Sequence, residues 1–135
     1  MAKIKKDIKQ KSNNLISLIL PVYNEAEIIN KTHKQISLLL SKIDNYNFEV
    51  IYVDDGSQDS SSEIIKDLCQ IKSTSKIKLR LLEFSKNFGK EAALSAGIHA
   101  ANGSAVITLD SDLQYPIDKI PEFLSLWSQG YEVVV

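Results

Sequence analysis

Two aspartates one residue apart follow an apolar segment, in the stretch Ile107-Thr108-Leu109-Asp110-Ser111-Asp112-Leu113-Gln114. Alternate residues of an extended chain point to the same side, so Asp110 and Asp112 can converge on one point. Two adjacent carboxylates repel each other and need a cation or a proton to offset the repulsion. Mg²⁺ and Mn²⁺ prefer such oxygen ligands, and Mg²⁺ is typically held by one or two carboxylates together with substrate phosphates. The spacing therefore predicts a metal–phosphate site, although Asp and Ser are also common in ordinary turns.

Three further polar segments follow apolar runs. They are Pro21-Val22-Tyr23-Asn24-Glu25, Asp54-Asp55-Gly56-Ser57 and Ser85-Lys86-Asn87-Phe88-Gly89-Lys90. Taken singly, each is also compatible with a simple turn or helix start. In open parallel sheets, however, ligands bind at the carboxyl ends of the strands, near the point where the strand order reverses. Four polar segments at such ends predict one shared binding site.

The elements that must position these residues alternate between strand and helix. Apolar runs predict strands at residues 15–20, 48–53, 77–84 and 105–109, and the beginning of a fifth strand at 131–135. Pro21 is expected to stop the first of these strands. Helical spacing predicts helices over residues 25–43, 90–101 and 117–128. A further helix is predicted to begin at a capping box formed by Ser60 and Glu63. This alternation predicts an α/β fold, a doubly wound, mostly parallel sheet with helices on both faces. The third strand is expected near an edge of the sheet.

Length and composition limit the function classes. The chain has 135 residues, which is one domain at most, and its net charge of −1 gives no support to nucleic-acid binding. Cys69 is the only cysteine, which fits a reducing compartment, and no apolar run is long enough to span a membrane. Residues 1–14 are lysine-rich and are expected to form a basic flexible arm, with attraction to an anionic membrane surface as the alternative. The apolar ending at Val135 suggests a chain that is cut short.

The four ordered motifs resemble those of family 2 glycosyltransferases with the GT-A fold, over residues 15–135. Within that family the chain is most similar to the polyprenyl-phosphate and dolichyl-phosphate sugar transferases. The resemblance rests on Leu20-Pro21-Val22-Tyr23-Asn24-Glu25, Val53-Asp54-Asp55-Gly56-Ser57, Asn87-Phe88-Gly89-Lys90-Glu91-Ala92-Ala93-Leu94 with Gly97, and Asp110-Ser111-Asp112-Leu113-Gln114. It implies that residues 15–135 are the nucleotide-sugar-binding half of a C-terminally truncated GT-A domain.

The resemblance also implies roles at the matching positions. Nucleotide contacts are expected from Pro21, Tyr23, Glu25, Asp54, Lys90 and Asp110, with Asp54 at the base or ribose. Mg²⁺ or Mn²⁺ would be held by Asp110, Asp112 and Gln114. The implied partners are a nucleotide-diphosphate sugar as donor and a lipid phosphate as acceptor. The resemblance also implies a reaction at the cytoplasmic face of a membrane that contributes to synthesis of the cell envelope. A homo-oligomer of the full-length protein is left open.

The acceptor half of the family is absent from these residues, so no catalytic base can be assigned. Asp112 is the nearest candidate, but it is interpreted first as a metal ligand. Two alternatives to a hexosyltransferase stay open: a truncated remnant that binds nucleotide weakly without turnover, and a receiver-type signalling module. A dehydrogenase is disfavoured because no Gly-x-Gly-x-x-Gly follows the first strand. His33, His99 and Cys69 are expected to have structural roles, and Phe123 and Trp127 to pack in the core.

Overall fold

A computed structural model describes residues 3–6, 14–112 and 117–130 of the chain. Five strands form one sheet: β1 (Lys3–Lys6), β2 (Leu15–Val22), β3 (Asn47–Asp54), β4 (Ile77–Glu83) and β5 (Ala105–Thr108). Four α-helices accompany them: α1 (Ile29–Leu40), α2 (Ser61–Ile71), α3 (Lys90–Ala100) and α4 (Ile120–Ser128), the last preceded by a 3₁₀ turn at Ile117–Lys119. The predicted alternation of strand and helix is therefore confirmed over the described residues.

The strand order across the sheet is β1-β5-β2-β3-β4. The four strands β5, β2, β3 and β4 are parallel, and β4 lies at the edge, as its mixed pattern predicts. The order runs outward from β2 to β4 and then returns to the other side of β2 for β5. The switch point therefore lies between β2 and β5, which is where open α/β sheets bind ligands.

Strand β2 continues through Pro21 to Val22, so the prediction that Pro21 stops it is wrong. The carbonyl of Ile19 accepts the N–H of Leu109 on the β5 side of the strand. Pro21 lies two residues further and faces that same side, beyond the last residue of β5. Its missing N–H therefore removes no hydrogen bond from the ladder, which is the situation in which a strand tolerates proline.

The helices cover both faces of the sheet. On one face α3 packs its small residues against β2 and β3, around Ile19, Ile51 and Val53. A Cβ added to Gly97 would lie 2.3 Å from Cγ2 of Ile19, so only glycine permits this close approach. On the other face α1, α2 and α4 cover a larger core that includes Phe123 and Trp127, which pack there as predicted.

The bounds of the first helix and the cap of the second differ from the sequence predictions. The first helix spans Ile29–Leu40 rather than 25–43, with turns on either side of it. The predicted capping box at Ser60 and Glu63 is wrong, because the Ser60 side chain makes no cap hydrogen bond. Asp59 takes that position instead: its Oδ1 accepts both the N–H of Ser61 at 2.9 Å and the hydroxyl of Ser61 at 2.5 Å.

Within residues 1–14, which are expected to form a flexible arm, Lys3–Lys6 pair antiparallel with β5. The outer side of β5 carries unpaired backbone groups, and a short strand satisfies them. The predicted fifth strand at 131–135 and the candidate ligand Gln114 lie outside the described residues. None of the helices in the described part of the chain combines the length and apolar composition that a membrane-spanning segment requires.

Candidate active site

A cleft of about 260 Å³ opens at the carboxyl end of the sheet, at the switch point between β2 and β5. Polar groups from four separate segments line it, as the positions of the motifs predict. Its lining residues are Pro21, Val22, Tyr23, Glu25, Asp55, Lys90, Asp110, Ser111 and Asp112. Of the site residues predicted from the sequence, Pro21, Tyr23, Glu25, Lys90, Asp110 and Asp112 are brought together here.

Asp110 and Asp112 lie two and four residues after the end of β5, and both line the cleft. The ammonium group of Lys90, the first residue of α3, forms an ion pair with Asp110. Partial burial acts to raise the pKa of the Asp110 carboxyl, but the hydrogen bond and positive charge of Lys90 act in the opposite direction, and the pKa lies below its usual value. Asp110 is therefore an ionised carboxylate, already paired with a cation, at neutral pH.

The residue between the two aspartates is attached to α1 and to the loop before it. The hydroxyl of Thr32 donates to the carbonyl oxygen of Ser111 at 2.6 Å. The hydroxyl of Ser111 in turn donates to Oε1 of Glu25 at 3.3 Å. Ser111 is 6% exposed and Thr32 is 4% exposed, so the bond between them is shielded from water, and the bond to Glu25 is partly buried. The motif is thus fixed from beneath while its carboxylates face the cleft.

Asp54 and Asp55 have different roles, although the sequence predicts a ligand contact only for Asp54. Asp54 is the last residue of β3, and its Oδ1 accepts the N–H of Ser57 at 3.3 Å within its own turn. Within the part of the chain that the structure describes, Asp54 is not among the cleft-lining residues, whereas Asp55 is. The base or ribose contact of Asp54 stays a prediction.

Asp55 holds the loop that leads into α3. Its carboxylate accepts the N–H of Phe88 at 2.8 Å, the N–H of Gly89 at 3.0 Å and the Nδ2 of Asn87 at 3.1 Å. Gly56 allows the two loops to meet, because a Cβ there would lie 2.3 Å from the carbonyl carbon of Lys86. The sequence indicates only that an acceptor is needed here, not which residue supplies it: Gly89, the N-cap residue of α3, has no side chain that could accept the free N–H groups of the turn.

A second pair of loops holds Tyr23 and Glu25 in place. Asn24 adopts a left-handed conformation with φ of 51°, and its N–H donates to the hydroxyl of Ser57 at 2.9 Å. In return, the N–H of Gln58 donates to Oδ1 of Asn24 at 2.8 Å. Tyr23 remains 44% exposed beside the cleft, so its ring is accessible to a ligand.

The donor set suits a divalent cation that is shared with a substrate. The cleft lining holds four carboxylates and one ammonium group, a formal excess of three negative charges. Among the described residues, no group of three or more His, Cys, Asp or Glu side chains could hold a metal by itself. Two aspartates plus phosphate oxygens form the type of oxygen set that Mg²⁺ takes in nucleotide sites. The ammonium group of Lys90 offsets part of this negative charge through its ion pair with Asp110.

A family model described as glycosyl transferase family 2 matches residues 17–135. The chain is 38% identical over 120 residues to the undecaprenyl-phosphate 4-deoxy-4-formamido-L-arabinose transferase of Aeromonas hydrophila, covering 89% of this chain and 36% of that protein. It is 39% identical over 120 residues to the bactoprenol glucosyl transferase of Shigella phage SfV, covering 89% and 38%. The chain thus spans about a third of the length of these relatives.

Solved structures share the fold. S. aureus TarS in complex with UDP aligns with a TM-score of 0.67 at 24% identity, over 84% of this chain and 32% of that one. The mannosyltransferase PcManGT of Pyrobaculum calidifontis, in complex with GDP-Man and Mn²⁺, aligns with a TM-score of 0.65 at 24% identity, over 83% and 31%. These likenesses confirm the predicted GT-A architecture.

Proposed function

Because the chain belongs to glycosyl transferase family 2, we propose that it forms the donor-binding part of an enzyme that transfers a sugar from a nucleotide diphosphate to a polyprenyl phosphate. The family match excludes the receiver-type signalling module. The lipid acceptor is proposed from the relatives named as undecaprenyl-phosphate and bactoprenol transferases. With such an acceptor, the reaction would take place at the cytoplasmic face of a membrane.

The observation that carries the proposal is the acidic character of the cleft. A nucleotide diphosphate is an anion, and a lining with three excess negative charges repels it. The donor can therefore bind only together with a cation. Asp110 and Asp112 would hold Mg²⁺ or Mn²⁺, with Gln114 as the further ligand predicted from the sequence. The cation would act as a Lewis acid towards the departing diphosphate.

The other cleft residues would bind and orient the nucleotide. The exposed ring of Tyr23 offers a stacking surface for a base, and Pro21 contributes apolar contact beside it. Glu25 accepts hydrogen bonds from hydroxyl groups, as it does from Ser111. Lys90 forms an ion pair with Asp110 and would add positive charge near the phosphates. Asp54 remains the proposed contact to the base or ribose.

The chemistry of the acceptor explains why no strong base is required. An oxygen of the lipid phosphate would form the new bond to the anomeric carbon, while the bond from that carbon to the nucleoside diphosphate breaks and the diphosphate keeps the electron pair. A phosphate monoester has its second pKa near 6 and is largely ionised at neutral pH. Asp112 is therefore proposed as a metal ligand first, and as a base only in second place.

Calorimetry with UDP and with GDP, each titrated with and without Mn²⁺, tests the proposal. We expect binding only with Mn²⁺, and Asp112→Ala should reduce that binding below detection because it removes one of the two carboxylates. Asp44→Ala is the matched control, since Asp44 is exposed on the connection between α1 and β3, outside the cleft lining. Equal nucleotide binding with and without Mn²⁺ would contradict the proposed metal site.

The second candidate function is a partial domain that binds nucleotide without turnover. The observation that favours it is coverage, because the chain spans about a third of its relatives' length. A transfer assay with a polyprenyl phosphate, comparing this chain with a longer relative, separates the two. Sugar transfer by the 135-residue chain alone would exclude the partial-domain proposal.

A further inference from the structure

Thr32 contacts the candidate metal site from below, although it does not line the cleft. It lies in the first turns of α1, is 4% exposed, and donates its hydroxyl to the carbonyl of Ser111, 79 residues away along the chain. Nothing in the sequence motifs singles this residue out. Its hydrogen bond of 2.6 Å directly links α1 to the segment that carries Asp110 and Asp112.

The accepting carbonyl of Ser111 lies between the two aspartates, where its orientation affects the direction of the chain. The Ser111 carbonyl belongs to the planar peptide unit that joins Ser111 to Asp112. Fixing its oxygen therefore fixes the orientation of that peptide plane, and with it the direction in which the chain leaves towards Asp112. The bond from Ser111 to Glu25 holds the same residue through its side chain. Ser111 is thus restrained at two points, one on its backbone and one on its hydroxyl.

The Thr32 hydroxyl had a local alternative. In helices, a Thr hydroxyl commonly bonds to the carbonyl four residues earlier, which here is that of Ile28. That carbonyl accepts only the backbone N–H of Thr32, at 2.8 Å, among the described bonds. The hydroxyl is directed instead across the domain to Ser111. The local carbonyl of Ile28 could by itself accept a hydrogen bond from this hydroxyl, so the long-range contact is not required merely to give the hydroxyl a partner.

We propose that Thr32 is a positioning residue that sets the relative placement of Asp110 and Asp112 for a divalent cation. The inference rests on the metal site of the proposed function. Oxygen-ligand distances in Mg²⁺ and Mn²⁺ sites tolerate little variation, so a loosened peptide between two ligands lowers cation affinity. Thr32 acts through Ser111 and touches neither cation nor nucleotide.

The test is Mn²⁺ affinity, measured from the electron paramagnetic resonance signal of free Mn²⁺ in the presence of UDP or GDP. Thr32→Val keeps the shape of the side chain but removes the donor, and we expect Mn²⁺ to bind roughly 3- to 10-fold more weakly, the range that one net hydrogen bond supports. Thr32→Ser retains the hydroxyl and should restore affinity to within about twofold of the wild-type value. If the Val variant does not fold, Thr32→Ala makes the same test without placing a methyl group against the carbonyl.

A merely structural role for Thr32 is separated from positioning by Ser17→Ala. Ser17 is also buried and donates a hydrogen bond, to Glu49 at 2.5 Å, but at a position along β2 remote from the cleft. Its loss should lower the melting temperature and leave the Mn²⁺ affinity of the folded protein unchanged. If Thr32→Val behaves like Ser17→Ala, with lower stability and wild-type Mn²⁺ affinity, the positioning role is refuted while the metal site stands. If the wild-type chain binds no Mn²⁺ with either nucleotide, the metal site itself is refuted, and the positioning role with it.

Discussion

His33 of α1 and Tyr52 of β3 form a buried polar pair between the helix and the sheet. The sequence predicts only a structural role for His33. Nδ1 of His33 lies 3.1 Å from the hydroxyl oxygen of Tyr52, and the two residues are 6% and 1% exposed. Burial, reinforced by the positive charge of Lys72, lowers the pKa of His33 below its usual value. Burial also raises the pKa of the Tyr52 hydroxyl, so both groups are neutral in the folded protein near pH 7.

The neutral His33 predicts a loss of stability in mild acid. The unfolded chain takes up a proton at His33 near pH 6.5, whereas the folded chain resists it, so the free energy of unfolding falls as the pH decreases below about 6.5. One such group contributes a slope of at most about 1.4 kcal/mol per pH unit. Urea unfolding at pH 7.5 and 5.5 measures the effect, and His33→Gln should reduce the difference between the two values.

His99 supplies the control for this prediction. It is exposed in the last turn of α3, so His99→Gln should keep the pH dependence of the wild type. An unchanged pH dependence in His33→Gln would show that other groups, such as carboxylates, account for it.

Single residues also mark the limit of what the sequence can predict. Asp110 and Asp112 could be found because period-two spacing after an apolar run has a direct geometric meaning. Thr32 and Asp55 could not, because their roles depend on hydrogen bonds to residues 79 and 33 positions away. A residue type shows that it can donate or accept, but the partner is chosen by the packing of whole elements.

Among the elements, the two loops that follow β2 and β3 stabilise each other through Asn24. Its left-handed conformation is costly for most residues but accessible to Asn, and its Oδ1 and N–H both bond to the neighbouring loop. The adjoining residues Tyr23 and Glu25 reach the cleft from this loop. Their positions therefore depend on whether Asn24 keeps its conformation.

Substitutions at Asn24 separate its two contributions. Asn24→Ala removes the acceptor and places an ordinary side chain at φ of 51°, whereas Asn24→Gly removes the acceptor and keeps the conformation accessible. We expect Ala to be less stable than Gly by about 1 kcal/mol in urea unfolding, the order of the left-handed penalty. Both should weaken nucleotide binding several-fold in calorimetry.

Asn45→Ala, in the exposed connection before β3, should leave both stability and binding near wild type. Equal stability of the Ala and Gly variants would contradict the assigned backbone strain.

The sequence predicts the elements better than it predicts their ends. Long apolar runs identified β2 to β5 because a parallel sheet buries its strands on both faces. The prediction at Pro21 is wrong because the cost of a missing N–H depends on whether a neighbouring strand would accept it, and β5 ends before that position. The prediction at Ser60 and Glu63 is wrong because Asp59, one residue earlier, takes the capping hydrogen bonds. Ends are decided by such local competition, which periodicity does not capture.

At the scale of the whole molecule, the candidate site gathers segments that are distant in the chain. The cleft draws on the end of β2, the loops after β2, β3 and β5 and the start of α3, and α1 supports it from the other face through the bond from Thr32 to Ser111. Its geometry exists only when the sheet and the helices on both faces are assembled. A ligand at this cleft therefore binds the folded chain and not the unfolded one, so binding must raise global stability.

The melting temperature then reports the proposed requirement for a cation. With Mn²⁺ and UDP or GDP together at 100 times the dissociation constant, stabilisation is about 2.7 kcal/mol, which for a chain of this size raises the melting temperature by roughly 8–13 °C. The nucleotide alone should give almost no shift, because the excess negative charge of the lining is then uncompensated. Asp112→Ala should lose the shift while Asp44→Ala keeps it. A full shift with nucleotide and a chelator would mean that Lys90 alone offsets the charge of the diphosphate, and the site would then bind nucleotide without metal.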